Sequence, residues 1–446
     1  MQKMFSLLAL LLLLSPWGFA QQRQIRFTRY TLPNGLKVIL HRDTTVPVVA
    51  VTVLYHVGSK NEKPGQSGFA HFFEHLMFEG SENIARGQYM KYVSNAGGEL
   101  NANTTQDRTF YYENLPANEL KLGLWLESER MMHAKINQVG VNTQREVVKE
   151  EKRMRVDNRP YGSIETEVCK RLFKGTPYEW TPIGSMEDLN SARLQNFLDF
   201  YQTYYVPNNA VLSIAGDIDP DSTRKLVEAY FGPIPHSDSA VPRPEIHLQP
   251  LGKLANSTDT VYDNIQLPAV IAAYRGPVQG SPDYYAFDVL SNILSGGASS
   301  RMEKDLVDKR QIALEAGSLQ LSMEGVGAYI DYGIVNSGGD PSVLRKGMDE
   351  EIDSLKTTVV GEHEFQKVMN GIETGFIGGF STQLGIAEKL ANYEVYFGDA
   401  NLINTELSRY RKVTPADVRA VANKYLNDDN RIILYYLPKA AKGPKG

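Results

Sequence analysis

The apolar positions of this chain fall into two successive runs of helix- and strand-like spacing, parted by a stretch with neither period. Residues 31–40 read as a strand, an Asn34-Gly35 turn and a second strand, and residues 48–57 as a β-branched central strand. A polar loop bearing Gly and Pro covers 60–68. Helical spacing follows over 68–79 and 88–96, then two short strands over 99–103 and 108–113, then helices over 118–134 and 142–155. Leu189-Asn190-Ser191 caps a helix running to Tyr205, Asn208-Asn209 turns into a strand over 210–214, and 220–231 is helical. Residues 233–251 are rich in Pro, Ser and charge and have no period, as an interdomain linker does. Past it the pattern resumes, with strand-like runs at 261–274, 312–323 and 327–335 and helices at 282–294, 341–358 and 362–375.

The two runs resemble each other. Residues 200–212 and 420–433 each read as a helix, a short Asn/Asp turn and a strand, at an offset of about 220 residues, half the chain. This predicts two homologous α+β halves: an N-terminal domain over 21–235, a linker over 236–255 and a C-terminal domain over 256–446.

One stretch of the first half carries chemistry. His71-Phe72-Phe73-Glu74-His75 lies inside the predicted 68–79 helix, with Ser67 as N-cap and Gly80 as C′ residue. Residues four apart share a helix face, so two imidazoles point the same way, and imidazole suits zinc. Glu74 borders that face, where a carboxylate can act as general base. The surrounding residues are apolar nearly all round, so the helix is buried and its polar groups need partners inside. A third ligand has to come from another buried element. The 142–155 helix offers Glu146, Glu150 and Glu151, and periodicity does not separate Glu150 from Glu151. The second half has no copy of the motif: aligning Gly80 with Gly297 puts Asp288, Ser291 and Asn292 at the positions of His71, Glu74 and His75.

Composition narrows the setting. At 446 residues, 42% hydrophobic and 22% charged, the chain is an ordinary globular one, and a net charge of −5 with a pI near 6.0 gives no sign of the basic patch or stripe a nucleic-acid-binding surface needs. Lys3, the apolar run 5–14 and Gly18-Phe19-Ala20 predict a signal peptide over 1–20, hence a periplasmic or secreted protein. That run is shorter than the ~20 residues a spanning helix needs, and no later run is long enough, so no membrane span is expected after cleavage. No Cys follows the run, which argues against a lipoprotein anchor. The lone cysteine, Cys169, cannot form an internal disulfide and reads as a core thiol.

The stretch from Gly68 to Gly80, the run Gly97-Gly98-Glu99-Leu100-Asn101-Ala102 and the run Arg145-Glu146-Val147-Val148-Lys149-Glu150-Glu151 resemble the inverted-zincin peptidases of the pitrilysin, insulin-degrading enzyme and mitochondrial processing peptidase family. The resemblance spans essentially the whole chain after the leader. It implies an α+β fold of two homologous halves, each a mostly antiparallel sheet covered by helices, forming a clam-like chamber around a peptide substrate. It also implies Glu151 as the third ligand of one Zn2+ per chain, and metal-assisted peptide hydrolysis with Glu74 as base. Asn101 and Ala102 then lie on the strand edge that receives substrate by β-addition.

Three positions depart from the family pattern. Gln144 stands where relatives carry a further Glu. After Ser299-Ser300-Arg301, Val307 and Leu314 stand where many relatives carry an Arg and a Tyr that contact substrate near the zinc. Neither replacement can donate a hydrogen bond from its side chain. The expectation is therefore a zinc-bearing subunit whose homologous partner supplies the Arg/Tyr pair. The alternatives are a self-sufficient homodimeric peptidase and a non-catalytic binding or assembly subunit of the same fold.

Overall fold

The computed structural model describes residues 24–248, 250, 254 and 257–439, so the leader expected over 1–20 lies outside the described residues. Strands β1 (Thr28–Thr31) and β2 (Lys37–Arg42) pair antiparallel around a turn at Gly35. Gly35 has a φ of +86°, and a Cβ there would lie 2.7 Å from Asn208 Cβ, so both the turn and the close approach require glycine. The chain continues through β3 (Val48–Tyr55), α1 (Phe69–Leu76), α2 (Tyr89–Asn95), β4 (Glu99–Thr104), β5 (Thr109–Pro116), α3 (Leu120–His133) and α4 (Gln138–Lys152). Then come α5 (Ile164–Leu172), α6 (Met186–Ser191), α7 (Leu194–Tyr204), β6 (Ala210–Gly216) and α8 (Pro220–Phe231). The six strands form one sheet in the order β1-β2-β6-β3-β5-β4, parallel only between β2 and β6. β4 is an edge strand, paired on one side alone.

The second half repeats this plan. It contains β7 (Ser257–Asp263), β8 (Ala269–Gly276), α9 (Pro282–Ser295), β9 (Ala313–Ser322), β10 (Gly327–Val335), α10 (Pro341–Thr357) and α11 (Glu362–Gly378). It ends with α12 (Gln383–Phe397), α13 (Leu402–Tyr410), α14 (Pro415–Tyr425) and β11 (Arg431–Pro438), and its sheet runs β7-β11-β8-β10-β9. The repeated helix–turn–strand unit is the same physical device in both halves. Asn209 Nδ2 donates to Tyr204 O at 2.8 Å, and Asn430 Nδ2 donates to Tyr425 O at 2.7 Å. Each amide satisfies a carbonyl freed at its helix end.

Helices pack on both faces of each sheet, so β3, β6 and β8 are buried over almost their whole length and are mostly apolar. One face of each sheet packs against helices of its own half. A helix from the opposite half packs on part of the other face. Val168, Cys169 and Leu172 of α5 pack on Ile271, Ile330 and Ile432, while Ile386, Leu390 and Ala391 of α12 pack on Ile39, Leu54 and Val211. Cys169 is buried there, and burial pushes its thiol up, as suits a core residue. Polar contacts reinforce the exchange. Glu324, in the β9–β10 turn, accepts from His56 Nε2 (2.7 Å) and pairs with Lys60, while its N–H donates to Asp107 Oδ2 (2.9 Å). Lys60 Nζ also meets Asp107 Oδ1 at 3.0 Å.

Several element boundaries differ from expectation. The helix expected over 189–205 is two, because Ser185 caps α6 and the chain is extended at Arg193 before α7. The strand expected over 261–274 is two, β7 and β8, which reverse between Asp263 and Pro268 and pair with opposite sides of β11. Gly68, just before α1, is left-handed (φ +91°), and Glu62 caps the helix, accepting from Gly68 N–H (2.9 Å) and Ala70 N–H (2.8 Å). Ser67 instead turns its hydroxyl to Asp188, and Gly80 lies beyond the helix end at Leu76. The described residues between α8 and β7 hold no helix or strand, yet Arg243 donates to His56 O and Asn209 Oδ1 (2.6 Å each), which ties this segment to the first half. No helix among the described residues is long and apolar enough to cross a membrane.

Candidate active site

The rotation of α1 follows from its phenylalanines. Phe69 stacks on Phe197 of α7 with ring centroids 4.6 Å apart, Phe72 packs tilted against the same ring at 4.5 Å, and Phe73 stacks on Tyr205 at 4.7 Å. Burying each ring contributes roughly 1.5–3 kcal/mol, so one helix face is committed to the core. The opposite face then carries His71, Glu74 and His75 into a cleft of about 1120 Å³ lined by both halves.

α4 is set by its own anchors. Asn137 Oδ1 caps it through the Gly140 N–H (3.0 Å), Val141 and Val148 are buried, and Arg145 donates to Leu189 O (3.0 Å) and Ala192 O (2.6 Å). This rotation sends Glu146 to Lys149 (3.0 Å) and Glu150 outward to Arg153 (2.9 Å). Glu151 is the carboxylate of this helix that reaches the imidazoles. Its Oε2 lies 3.2 Å from His75 Nε2 and 3.6 Å from His71 Nε2, and the two Nε2 atoms are 3.4 Å apart. A tetrahedral zinc with ligands at ~2.0–2.1 Å separates its donors by ~3.3 Å, so this donor set and spacing suit that ion. It is the metal-capable group of His, Cys, Asp and Glu found among the described residues. His71, then His75, hold the Glu151 carboxyl well below the usual carboxylate range, and Arg155 pairs with its other oxygen at 2.9 Å.

Glu74 stands beside this cluster and outside it. Its Oε2 accepts from Thr104 Oγ1 at 2.6 Å. Thr104 ends β4, and Asn101 and Ala102 lie on the same strand and line the cleft. Asn101 Oδ1 accepts the Ala102 N–H (2.8 Å), a side-chain cover over an edge-strand amide. Reading the sequence did not single out Thr104. The available signal was its place two residues after Ala102, on the same strand face.

The departures also have places. Gln144 donates to Glu79 Oε1 (2.5 Å), away from the three donor atoms. Val307 is half-buried against the second-half core, and Leu314 is exposed on β9. Neither lines the cleft, whose second-half wall is built from residues such as Ile271, Leu319 and Ile330. The arginines and tyrosines that do line it are Arg155, Arg159, Tyr161 and Tyr332.

Residues 37–183 match the family described as Insulinase (Peptidase family M16), and residues 191–372 match the Peptidase M16 inactive domain. The chain is 31% identical over 416 residues to the zinc protease PqqE of Helicobacter pylori, covering 92% of each chain. It is 27% identical over 403 residues to an uncharacterized zinc protease of Mycobacterium leprae, covering 90% of this chain and 89% of that one. The crystal structure of a protease from Helicobacter pylori superposes with a TM-score of 0.88 at 29% identity, over 93% of this chain and all of that one.

Proposed function

Because the chain belongs to the M16 family of peptidases, we propose that it is a zinc-dependent endopeptidase that cleaves peptides or unfolded segments held in the cleft between its halves. The observation that carries this reading is the convergence of His71 Nε2, His75 Nε2 and Glu151 Oε2 at separations of 3.2–3.6 Å. These three atoms would hold one zinc per chain. When bound, the ion supplies Lewis-acid polarisation of the scissile carbonyl and makes a water more acidic.

The chain's own groups do the rest. Glu74 takes a proton from the attacking water and returns it to the leaving amine. β4 offers its outer edge to an extended substrate, which adds as a further strand beside Asn101 and Ala102 as the Asn101 side chain gives up the Ala102 N–H. Main-chain hydrogen bonds of that kind select for extended conformation more than for sequence, which suits unfolded segments.

Val307 and Leu314 support a further proposal, that this is the zinc-bearing subunit and a homologous partner brings an Arg/Tyr pair to the cleft. The second reading, a self-sufficient peptidase, draws on Arg159 and Tyr332, which already line the cleft. A third, a non-catalytic assembly subunit, predicts a chain that hydrolyses nothing with or without a partner. Export by the 1–20 leader to the periplasm or medium, and a domain division at 236–255, belong to the same proposal.

The experiment is metal analysis joined to a quenched peptide-library assay, run on the chain alone and with any co-purifying homologue. The reading predicts one zinc per chain, with hydrolysis abolished in a zinc-replete Glu74→Gln variant. An active, zinc-replete Glu74→Gln protein would falsify the assignment of the base. Full activity of the isolated chain would remove the need for a partner.

A further inference from the structure

Glu74 has one hydrogen bond to its carboxylate among the described residues, and it comes from Thr104. A glutamate side chain rotates about three bonds, and a base that wanders reaches its proton less often. Threonine on a strand is stiff at χ1 by contrast.

The backbone beneath Thr104 is pinned from several sides. Thr104 pairs with Thr109 in the β4–β5 register. In the loop that joins these strands, Thr105 N–H donates to Arg108 O (2.9 Å), and Thr105 Oγ1 accepts the N–H groups of Asp107 and Arg108 (3.2 Å each). Arg108 donates to Asn103 Oδ1 (3.2 Å) and reaches across to Asn392 Oδ1 (2.6 Å) and Glu388 of α12. Asp107 is fixed by Lys60 and by Tyr178 (2.6 Å). A half with no metal motif thus helps to immobilise the residue that faces the base.

We propose that Thr104 is a positioning residue for Glu74: its hydroxyl holds Oε2 and leaves Oε1 as the oxygen that takes the proton. This rests on the reading of Glu74 as the base. In the step, an O–H bond of water breaks as its oxygen bonds to the scissile carbonyl carbon, the carbonyl π pair moves onto the carbonyl oxygen until the C–N bond breaks and C=O re-forms, and the water proton forms an O–H bond to Oε1. When the C–N bond breaks, that proton passes from Oε1 to the leaving nitrogen. Oε2 keeps the Thr104 hydrogen bond through both transfers. The same strand carries Asn101 and Ala102, so the substrate edge and the base are held by one rigid segment, and a peptide seated on the edge meets a base already aimed.

The test compares Thr104→Val, which keeps the shape and loses the donor, with Thr104→Ser, which keeps the donor, in zinc-loaded protein with its partner where one co-purifies. A hydrogen bond to a charged group is strong enough that kcat should fall about 10- to 100-fold in Thr104→Val. KM should stay within about threefold, because the contact is not made to substrate. Zinc content and melting temperature should match wild type, and Thr104→Ser should regain most of the loss. The crystal structure of Thr104→Val should show the Glu74 carboxylate turned from its wild-type position. Wild-type kcat in Thr104→Val, a Thr104→Ser protein as slow as Thr104→Val, or an unmoved Glu74 carboxylate would each overturn the proposal. If zinc-loaded wild type cleaves no peptide, the peptidase reading falls by itself, and the crystallographic comparison alone decides the positioning role.

Discussion

Replacing Glu324 by Gln should loosen the seam between the two halves without unfolding either. The side chain reaches from the β9–β10 turn into the first half, where it meets His56 Nε2 at 2.7 Å and Lys60. Burial works against its charge, but the His56 hydrogen bond and the Lys60 charge outweigh burial and hold its carboxyl down from the ordinary 4.5 to about 2. At about 1.36 kcal/mol per pKa unit that shift corresponds to about 3 kcal/mol. Glu324 is 34% exposed, so screening reduces its share to about 2 kcal/mol. The amides of Glu324 and Gly325 report the seam directly, since they donate to Asp107 Oδ2 (2.9 Å) and Tyr178 OH (3.2 Å). In Glu324→Gln their hydrogen exchange should speed about 30-fold, the factor that about 2 kcal/mol gives. The folded pKa is depressed, so in wild type this stabilisation is complete above about pH 4.5 and is lost as pH falls toward about 2. Exchange in the variant within about twofold of wild type would refute the reasoning, because an opening worth about 2 kcal/mol cannot leave it unchanged.

Other positions give equally direct checks. Arg130, Glu113 and Glu127 are fully buried together, with the guanidinium over the rings of Phe78, Tyr89 and Tyr111 at 4.5–4.9 Å. Arg130→Met leaves two buried carboxylates without their cation and should cost about 3–5 kcal/mol in urea unfolding; an unchanged midpoint would contradict this. Gly35→Ala places a side chain at φ +86° against Asn208 and should lower stability by about 1–3 kcal/mol, read by the same titration. Glu151→Gln should weaken zinc binding more than about 100-fold in a chelator competition, beyond the loss typical of a supporting residue, while Glu150→Gln should leave it unchanged. Equal loss in both variants would mean that α4 is rotated otherwise than described.

How much of this was legible beforehand depends on the range of the interaction. His71, Glu74 and His75 lie within one helical turn, so spacing alone put them on one side of α1, and the resemblance supplied Glu151 and the Asn101–Ala102 edge. Glu150 and Glu151 are adjacent on one helix, and their separation is decided by distant contacts, the burial of Val148 and the hold of Arg145 on Leu189 O. The exchange of α5 and α12 was hidden for a related reason. Apolar spacing says that Val168 or Leu390 is buried but does not say against which sheet. The cap of α1 was misread because Ser67 is the local candidate, whereas the glutamate that satisfies the helix amides lies on the preceding loop. Thr104 escapes such a reading because its contact with Glu74 exists only once β4 is laid beside α1.

The measurement closest to the central claim is an anomalous difference map from crystals of zinc-loaded protein, collected on both sides of the zinc edge. The account predicts one peak per chain, within bonding distance (~2.0–2.2 Å) of His71 Nε2, His75 Nε2 and Glu151 Oε2, with Glu74 beside it and unbonded. A peak at any other set of side chains, or none at this one, would contradict it.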